Sequence, residues 1–479
     1  MAKRIEVDLR QFSYREKTIL RDIRFSVDQG EFLVLTGLSG CGKTSLLRMM
    51  NGFVPTLYEG TYTGEIRIFG KPLAMYAKGE LAKYIGNVFQ NPNDQFFARE
   101  VEREVALIGE NMGMERTRLH QRVRQSLEDM GIETLRKKNV RVLSGGQKQK
   151  VAIASTRVFE SEILFFDEPS ANLDAHATRE LKEVLAKLKH DGKTIVIAEH
   201  RISYLAKLMD RLLILKDGTL DAIVPSERLD DDFLRTHNLR CLHYDHLRSV
   251  VPPPGDEAQI RVEDVAIANK SYHRDMGVSF SLRRGECMAL IGANGIGKTT
   301  LAKELAGLIP MKTGTTSYGN TTRERLSRVS ISLQNCSNMF FYETVERELI
   351  PRSKMKDRDY LAKVKSHLIE LELWDKRLLN PHDLSGGEKQ RLALLIALME
   401  DAELTILDEP TAGLDDRRMT LVSRAIRRKT EETPVLLITH DPELLIRTCN
   451  TAYFLLPDGG KKIDVAGNEA EIVAFLREE

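Results

Sequence analysis

Leu143-Ser144-Gly145-Gly146-Gln147, running on into Lys148, Gln149 and Lys150, returns in the second half of the chain as Leu384-Ser385-Gly386-Gly387-Glu388, followed by Lys389, Gln390 and Arg391. A Ser-Gly-Gly turn that enters a helical pattern (Val151-Ala152-Ile153-Ala154) offers backbone N–H groups and a hydroxyl at the positive end of a helix, with no bulky side chain in the way. That is an arrangement for gripping an anion. Each half also carries its own phosphate loop, so the anion expected at each turn is the terminal phosphate of a nucleotide already held elsewhere in the protein.

The turn recurs because the whole unit recurs. Lys43 pairs with Lys298, Gln90 with Gln334, Leu143 with Leu384, Glu168 with Glu409 and His200 with His440. The separation between partners shrinks along the chain, mostly before the glutamine, so the second copy is slightly shorter. Internal repetition on this scale governs every other reading of the sequence.

Bulk properties agree with two domains. A chain of 479 residues exceeds what one core usually covers. Its 71 basic and 70 acidic residues give a formal charge of +1, which argues against nucleic acid held on a strongly basic face. Five cysteines (Cys41, Cys241, Cys287, Cys336, Cys449) show no paired spacing, the pattern of a reducing compartment without a disulfide framework or a zinc or iron–sulfur cluster. Met1-Ala2-Lys3-Arg4 is soon followed by Glu6 and Asp8, so no apolar signal segment is expected. No window reaches the roughly 18 apolar residues of a membrane span, and any spans must come from partners.

Each copy opens with strand-like alternation (Ile5 to Phe12; Ile260 to Ala266) and an apolar run ending in glycine (Phe32 to Thr36; Met288 to Ile291). A middle stretch rich in Glu, Arg and Leu (Val101 to Met130; Val345 to Leu373) has helical spacing. Two buried-strand runs follow, Ile163 to Phe166 and Thr194 to Ile197, matched by Leu404 to Leu407 and Val435 to Ile438. Short apolar strands alternating with helices predict an α/β fold built on a mainly parallel sheet covered on both faces. The expected division is a first domain over 1–225, a linker over 226–255 and a second domain over 256–479. The linker carries Asp230-Asp231-Asp232, read as solvated surface, and ends in Pro252-Pro253-Pro254-Gly255.

Gly37-Leu38-Ser39-Gly40-Cys41-Gly42-Lys43-Thr44, continuing to Ser45, and Gly292-Ala293-Asn294-Gly295-Ile296-Gly297-Lys298-Thr299, continuing to Thr300, both fit the phosphate-loop pattern. Glycines let backbone N–H groups converge on phosphate oxygens, the lysine neutralises the outer phosphates, and Thr44 or Thr299 ligates Mg²⁺. By chance the pattern arises once in a chain of this length about 1–2% of the time, and twice far less often, so nucleotide binding is the firm expectation.

Asp167-Glu168 and Asp408-Glu409 each end an apolar strand. From there the aspartate can reach the metal shell and the glutamate can orient or deprotonate a water for in-line attack. A lone acidic pair would as readily cap a helix. Two copies, each followed by Pro and then Leu-Asp (Pro169, Leu173, Asp174; Pro410, Leu414, Asp415), favour chemistry. Gln90 and Gln334 follow short strands and are expected at the metal or the attacking water, while His200 and His440 close strands beside the glutamates and are expected at the γ-phosphate. Tyr14 and Tyr272 precede their loops and are candidates to stack on adenine, with core or surface packing the other reading for both.

Phosphate loop, glutamine, Leu-Ser-Gly-Gly, Asp-Glu, Leu-Asp and histidine, in that order and twice, resemble the ATP-binding-cassette (ABC) ATPases as two fused cassettes. The resemblance implies ATP and Mg²⁺ as cofactors and, in each cassette, a parallel phosphate-loop core with an antiparallel β region and a helical insert. It also implies an intramolecular head-to-tail sandwich: the loop at Lys43 with the turn Ser385, Gly386, Gly387, Glu388, and the loop at Lys298 with Ser144, Gly145, Gly146, Gln147.

The first half is most similar to the ATPases of energy-coupling-factor importers of vitamins and transition metals. That likeness rests on Phe89-Gln-Asn-Pro-Asn-Asp-Gln-Phe-Phe97, Glu100-Val-Glu-Arg-Glu-Val105 and Glu110-Asn-Met-Gly113. The second half keeps Gln334-Asn335 and Thr344-Val-Glu-Arg-Glu348 but has Cys336-Ser-Asn-Met-Phe340 in place of the Pro-containing segment. The resemblance implies a peripheral position at the cytoplasmic membrane face, with a transmembrane coupling protein and a substrate-binding membrane protein as partners and no nucleic acid. Both copies retain lysine, glutamate and histidine, which favours two hydrolytic sites over the single decayed site expected of a fused ribose-type sugar importer ATPase. The further alternative, a soluble tandem protein acting on ribosomes or DNA, would lead one to expect a long charged linker, a cysteine-rich cluster or large insertions.

Overall fold

The computed structural model describes the chain except residues 1, 172, 268–275, 294, 335–338, 411–412, 458 and 479, and the side chains of 276 and 478. It divides into two units, Met1–His243 and Tyr244–Glu479.

Phe32–Gly37, the strand that runs into the first phosphate loop, is buried along its whole length. Its side chains alternate between two cores. Phe32 and Val34 join the helical side with Phe166, Ile195 and Ile197, whereas Leu33 and Leu35 join Ile5, Val7 and Leu9 on the other. A strand apolar on both faces is what a parallel sheet covered twice requires. The sheet has six strands in the order Thr219–Pro225, Arg211–Lys216, Phe32–Gly37, Thr194–Ala198, Ile163–Asp167, Ile85–Val88. All neighbours pair in parallel except the first two, which pair antiparallel. This order brings the carboxyl ends of Phe32–Gly37, Ile163–Asp167, Thr194–Ala198 and Ile85–Val88 to one edge, where the loop, Glu168, His200 and Gln90 follow.

An antiparallel sheet of four strands (Lys17–Asp28, Lys3–Tyr14, Thr61–Ile68, Lys71–Pro72) covers one face, and helices Val101–Asn111, Arg116–Asp129 and Gly145–Arg157 contribute to the core on the other.

The second unit repeats the plan: Val329–Ser332, Leu404–Asp408, Val435–Ile438, Cys287–Gly292, Thr451–Leu456 and Gly459–Asp464, with the last pair again antiparallel. Among the described residues its antiparallel sheet has three strands, Met276–Arg283, Ala258–Ile267 and the two-residue Thr315–Thr316. Helix Thr322–Arg328 leads directly into Val329–Ser332. The shortening seen before the glutamine therefore falls in the antiparallel region and leaves the phosphate-loop sheet intact.

The stretch 226–255, expected as a linker, is shared between the units. Helix Asp231–Thr236 is capped by Asp230, whose carboxylate accepts from Phe233 N at 2.7 Å, and the Asp231 carboxylate accepts from Leu242 N at 2.5 Å. Leu234, Leu239 and Leu242 enter the first unit's core. Beyond the division, Tyr244 and Leu247 pack on the second unit's core, Ser249 N donates to Glu469 at 3.0 Å and Asn450 donates to Pro252 O at 2.6 Å. Burial of these leucines, spaced among polar residues, draws the segment onto the domains. Two of the three aspartates read as solvated surface serve as backbone acceptors there.

Candidate functional site

Gly42 and Gly297 cap the helices Lys43–Met50 and Lys298–Leu305 with φ of 105° and 112°. A Cβ at Gly42 would meet Leu20 Cδ2 at 2.5 Å, and one at Gly297 would meet Ile267 Cγ2 at 2.4 Å. The left-handed backbone strains any L side chain, and a Cβ would also have to displace Leu20 or Ile267, so both positions favour glycine. Cys41 and Ile296, just before, are buried and anchor each loop to the core on the antiparallel-sheet side. Gly40 and Gly295 stay exposed, and Ser45 and Thr300 are half-buried in the first helical turn. Asn294 and Tyr272 lie outside the described residues.

In the first unit the expected residues converge. Lys43, 4% exposed, donates to Gly37 O at 3.0 Å and Leu38 O at 3.3 Å, and its Nζ lies 3.2 Å from His200 Nε2. Ser39 Oγ is 3.4 Å from the same ring nitrogen, and Glu168 Oε1 is 3.2 Å from it. An ammonium can only donate and a carboxylate can only accept, so Nε2 accepts from Lys43 in one tautomer and donates to Glu168 in the other. Gln90 Nε2 donates to the second carboxylate oxygen of Glu168 at 2.9 Å, leaving the amide oxygen for another partner.

Thr44 Oγ1 donates to Asp167 Oδ1 at 3.0 Å. Burial, reinforced by the neighbouring Glu168 charge, pushes the Asp167 carboxyl up to about 6, against the Thr44 hydroxyl and the cations of Arg48 and Lys43.

The second unit holds the same core set. Lys298 donates to Gly292 O and, at 3.3 Å, to Ala293 O. Thr299 Oγ1 donates to Asp408 at 2.9 Å, and His440 Nε2 lies 3.7 Å from Glu409 Oε1. Burial raises Asp408 as well, opposed by the Thr299 hydroxyl and then by Lys298 and Lys303. Gln334 is exposed beyond its strand, next to residues outside those described. In each unit a hydroxyl and a carboxylate meet beside the glycine loop, a set of hard oxygen donors that fits Mg²⁺.

Glu168 and Glu409 adopt φ of 44° and 51°, a left-handed conformation that non-glycine residues seldom take. Both are pinned there by the neighbouring strand, since Glu168 N donates to Ala198 O at 2.8 Å and Glu409 N to Ile438 O at 3.0 Å. Several other non-glycine residues share this conformation, but here it recurs at the matching glutamate of both units, directly after the aspartate that ends the strand. Residue types alone do not reveal it.

In the Ser-Gly-Gly turns Ser144, Gly145, Ser385 and Gly386 are exposed, whereas Gly146 and Gly387 are half-buried. The hydroxyls and backbone of these turns are engaged locally: Ser144 Oγ accepts from Gln147 N at 3.3 Å while Ser144 N donates to Gln147 Oε1 at 3.1 Å. Ser385 N donates to Glu388 at 2.9 Å. Against the opposing effect of burial, the Lys376 ammonium and the Ser385 N–H hold the Glu388 carboxyl below its usual range. These capping boxes fix each turn at the start of its helix. Gly146 packs too closely for any side chain, its Cβ position lying 2.8 Å from Ala177 Cβ.

A second matched pair was not anticipated. Glu104 accepts from Phe97 N at 2.9 Å and Ala98 N at 2.6 Å, and Glu348 accepts from Phe341 N and Tyr342 N, each at 2.6 Å. Each glutamate ties the segment after the glutamine to the first helix of the insert. The repeated Val-Glu-Arg-Glu was the available signal. Tyr14 ends its strand with its ring edge-on to Phe12, centroids 4.7 Å apart, so this ring takes part in packing.

Comparison with known proteins follows the same division. A family model described as ABC transporter matches residues 20–171 and again 276–412. A protein of Treponema denticola provisionally named an ABC transporter ATP-binding protein is 34% identical over 466 residues, 94% of each chain. The chain is also similar to a Bacillus subtilis protein provisionally named an HMP/thiamine import ATP-binding protein, YkoD, at 31% identity over 512 aligned positions, covering 98% of this chain and 92% of that one. Among solved structures, ABCE1 in a model of ribosome-bound archaeal Pelota and ABCE1 superposes with a TM-score of 0.72 over 98% of this chain and 80% of its own, at 22% identity, a likeness of fold alone.

Proposed function

Because the chain belongs to the ABC transporter family, we propose that it is a tandem ABC ATPase whose two units each hydrolyse ATP and together power a membrane importer. The observation that carries this reading is the matched set of side chains: Lys43, Thr44, Asp167, Glu168 and His200 in one unit, Lys298, Thr299, Asp408, Glu409 and His440 in the other.

In this reading the lysines neutralise the outer phosphates and the loop N–H groups orient them. Thr44 with Asp167, and Thr299 with Asp408, hold Mg²⁺, which when bound neutralises phosphate charge. Glu168 and Glu409 accept the proton of the attacking water. Gln90 steers Glu168 through its amide N–H, and His200 and His440 stand ready to donate a hydrogen bond from Nε2 to developing phosphate charge. The turns at Ser144 and Ser385 serve as anion grips at the starts of their helices. Glu104 and Glu348 carry the state of the glutamine segment to the helical insert.

The cargo we propose is a vitamin or transition-metal ion, taken up by a complex of energy-coupling-factor type. Support comes from segment 89–97 and from the import role in the name of the Bacillus subtilis relative. Among the described residues no helix is long and apolar enough to cross a membrane. A transmembrane coupling protein and a substrate-binding membrane protein would supply the spans, with this chain at the cytoplasmic face.

The test is purification of the tagged chain from detergent-solubilised membranes, with uptake of thiamine precursors, Co²⁺ and Ni²⁺ measured in cells with and without it. Co-purifying membrane subunits and loss of one uptake activity are expected. Unchanged uptake, with the chain sedimenting on ribosomes, would overturn the transport reading.

A further inference from the structure

Two ionisable residues flank His200 on strand-end positions that the nucleotide site does not use. Glu199 is 2% exposed, and its carboxylate accepts from His200 N at 2.9 Å, from Tyr204 OH at 2.9 Å and from the Ser170 hydroxyl. Arg201 approaches the same turn. Its Nη2 donates to Ser170 O at 2.6 Å, Leu173 O at 3.3 Å and Thr178 Oγ1 at 3.3 Å, and its Nε donates to Ser170 Oγ at 3.4 Å.

That turn begins at Glu168, whose carbonyl accepts from Ala171 N at 3.1 Å, and ends where Asp174 caps helix Ala175–His190. Burying a carboxylate and a guanidinium is costly unless their hydrogen-bonding groups are matched. Here the matching groups are the His200 N–H and the Tyr204 and Ser170 hydroxyls for Glu199, and oxygens of Ser170, Leu173 and Thr178 for the half-buried Arg201.

We propose that Glu199, Arg201 and Tyr204 are positioning residues for hydrolysis in the first unit, bracing Ser170, Leu173 and the His200 main chain as one piece. Glu168, held at a φ of 44°, and His200, with Nε2 at 3.2 Å from it, thereby keep their relative placement. The inference rests on the reading of Glu168 as the base given above. The second unit is built differently: Thr439 and Asp441 flank His440, and the Asp441 carboxylate caps helix Pro442–Thr448 by accepting from Glu443 N at 3.0 Å and Leu444 N at 3.3 Å. Neither residue supplies a guanidinium; in this unit Arg447, from helix Pro442–Thr448, reaches Asp416 at 2.7 Å, Thr420 Oγ1 at 3.2 Å and the buried Glu443 at 3.1 Å, so the helix after Glu409 is met by a cation from a different element.

The test measures steady-state ATP turnover in the full chain carrying Glu409→Gln, where activity reports the first unit. Arg201→Met should lower kcat about ten-fold while the KM for ATP stays within about two-fold, because placement and not affinity is lost. Arg201→Lys should recover only part of the rate, since an ammonium lacks the planar fork that spans several acceptors. Tyr204→Phe, which removes one hydroxyl and keeps the ring, should lower kcat about two- to five-fold, and it decides the matter if Arg201→Met does not fold. Should Glu409→Gln silence the chain, the same variants are compared with Glu409 intact, again by a fall in kcat at constant KM. An unchanged kcat in the folded variants, or a loss confined to KM, overturns the inference. The underlying reading fails separately: wild-type turnover by Glu168→Gln, Glu409→Gln would remove Glu168 as the base whatever Arg201 does.

Discussion

The two units share a strand order, a phosphate loop and a glutamate in the same strained conformation, yet the scaffolding around these features differs. His200 sits between Glu199 and Arg201, and both reach the turn after Glu168 or its neighbours. His440 sits between Thr439 and Asp441, Asp441 caps helix Pro442–Thr448, and the cation that reaches the helix after Glu409 is Arg447. Behind the Ser-Gly-Gly turns, Lys150 pairs with Glu180 at 2.6 Å in the first unit, whereas Arg391 in the second is 1% exposed and donates to Leu371 O at 2.9 Å. Groups that would touch nucleotide are kept alike in the two units while the groups that hold them in place have diverged. The chemistry tolerates few residue types; several networks can position them.

The largest expected effect tests the shared part. Glu168→Gln with Glu409→Gln should slow ATP turnover by about 10²–10⁴ while leaving ATP binding intact, because each change removes a proton acceptor and keeps the side chain's shape. Equilibrium binding and steady-state hydrolysis on the same sample check it. A doubly substituted chain that turns over like the wild type would end the claim that the strained glutamates are the bases.

A stability comparison comes next. Phe166 and Leu407 occupy the same place on matching strands, and both are fully buried in the core on the helical side. Phe166→Ala should cost the first unit about 3–5 kcal/mol and Leu407→Ala the second about 2–5 kcal/mol, the difference coming from the volume deleted. Denaturant unfolding followed by calorimetry should show each substitution moving the transition of its own unit. Equal shifts of a single transition by both would mean the units do not unfold separately.

How much of this was legible in the sequence depended on whether the cause was local. Phe32 to Thr36 and Ile163 to Phe166 announced buried strands because a parallel sheet covered on both faces demands unbroken apolar runs. The glycine loop was legible for a similar reason, since the left-handed backbone at Gly42 favours one residue type. Leu234, Leu239 and Leu242 were not, because their burial depends on a core assembled from distant segments. The left-handed φ of Glu168 was invisible too, as it is imposed by Ala198 on the neighbouring strand. Glu199-His200-Arg201 stood in plain view, but its meaning required knowing that Ser170 folds back against it.

Acid should separate the metal site from the rest of the protein. With its carboxyl raised to about 6 from an ordinary 3.8, Asp167 holds its proton more tightly in the folded unit than in the unfolded chain. Its contribution to stability is therefore complete below pH 3.8 and is lost as pH rises through about 6. Mg²⁺ takes the deprotonated form, so the stabilisation it adds with ATP should be small below about pH 6 and grow above it. Asp408 moves in the same direction, and both units should follow this trend. Thermal unfolding of the wild type and Asp167→Asn, with and without MgATP across this range, gives the comparison. A gain from MgATP independent of pH would show that Asp167 is not in the metal shell.

The smallest effects come from exchanging the residues behind the Ser-Gly-Gly turns. Arg391 lies buried with Nε on Leu371 O and Nη1 3.4 Å from Gly387 O, so Arg391→Lys leaves acceptors that one ammonium cannot all reach and should cost about 1–3 kcal/mol. Lys150 instead makes a partly exposed ion pair with Glu180, the kind of contact worth about 0–1 kcal/mol. Lys150→Arg keeps that charge and should change stability by no more than about 0.5 kcal/mol. Thermal unfolding measures both, and ATP turnover in the same variants shows whether the turns at Ser144 and Ser385 depend on what lies behind them. If Lys150→Arg proved as costly as Arg391→Lys, the first unit would have no more latitude at this position than the second, and the contrast between conserved contact groups and divergent supports would fail where it is easiest to see.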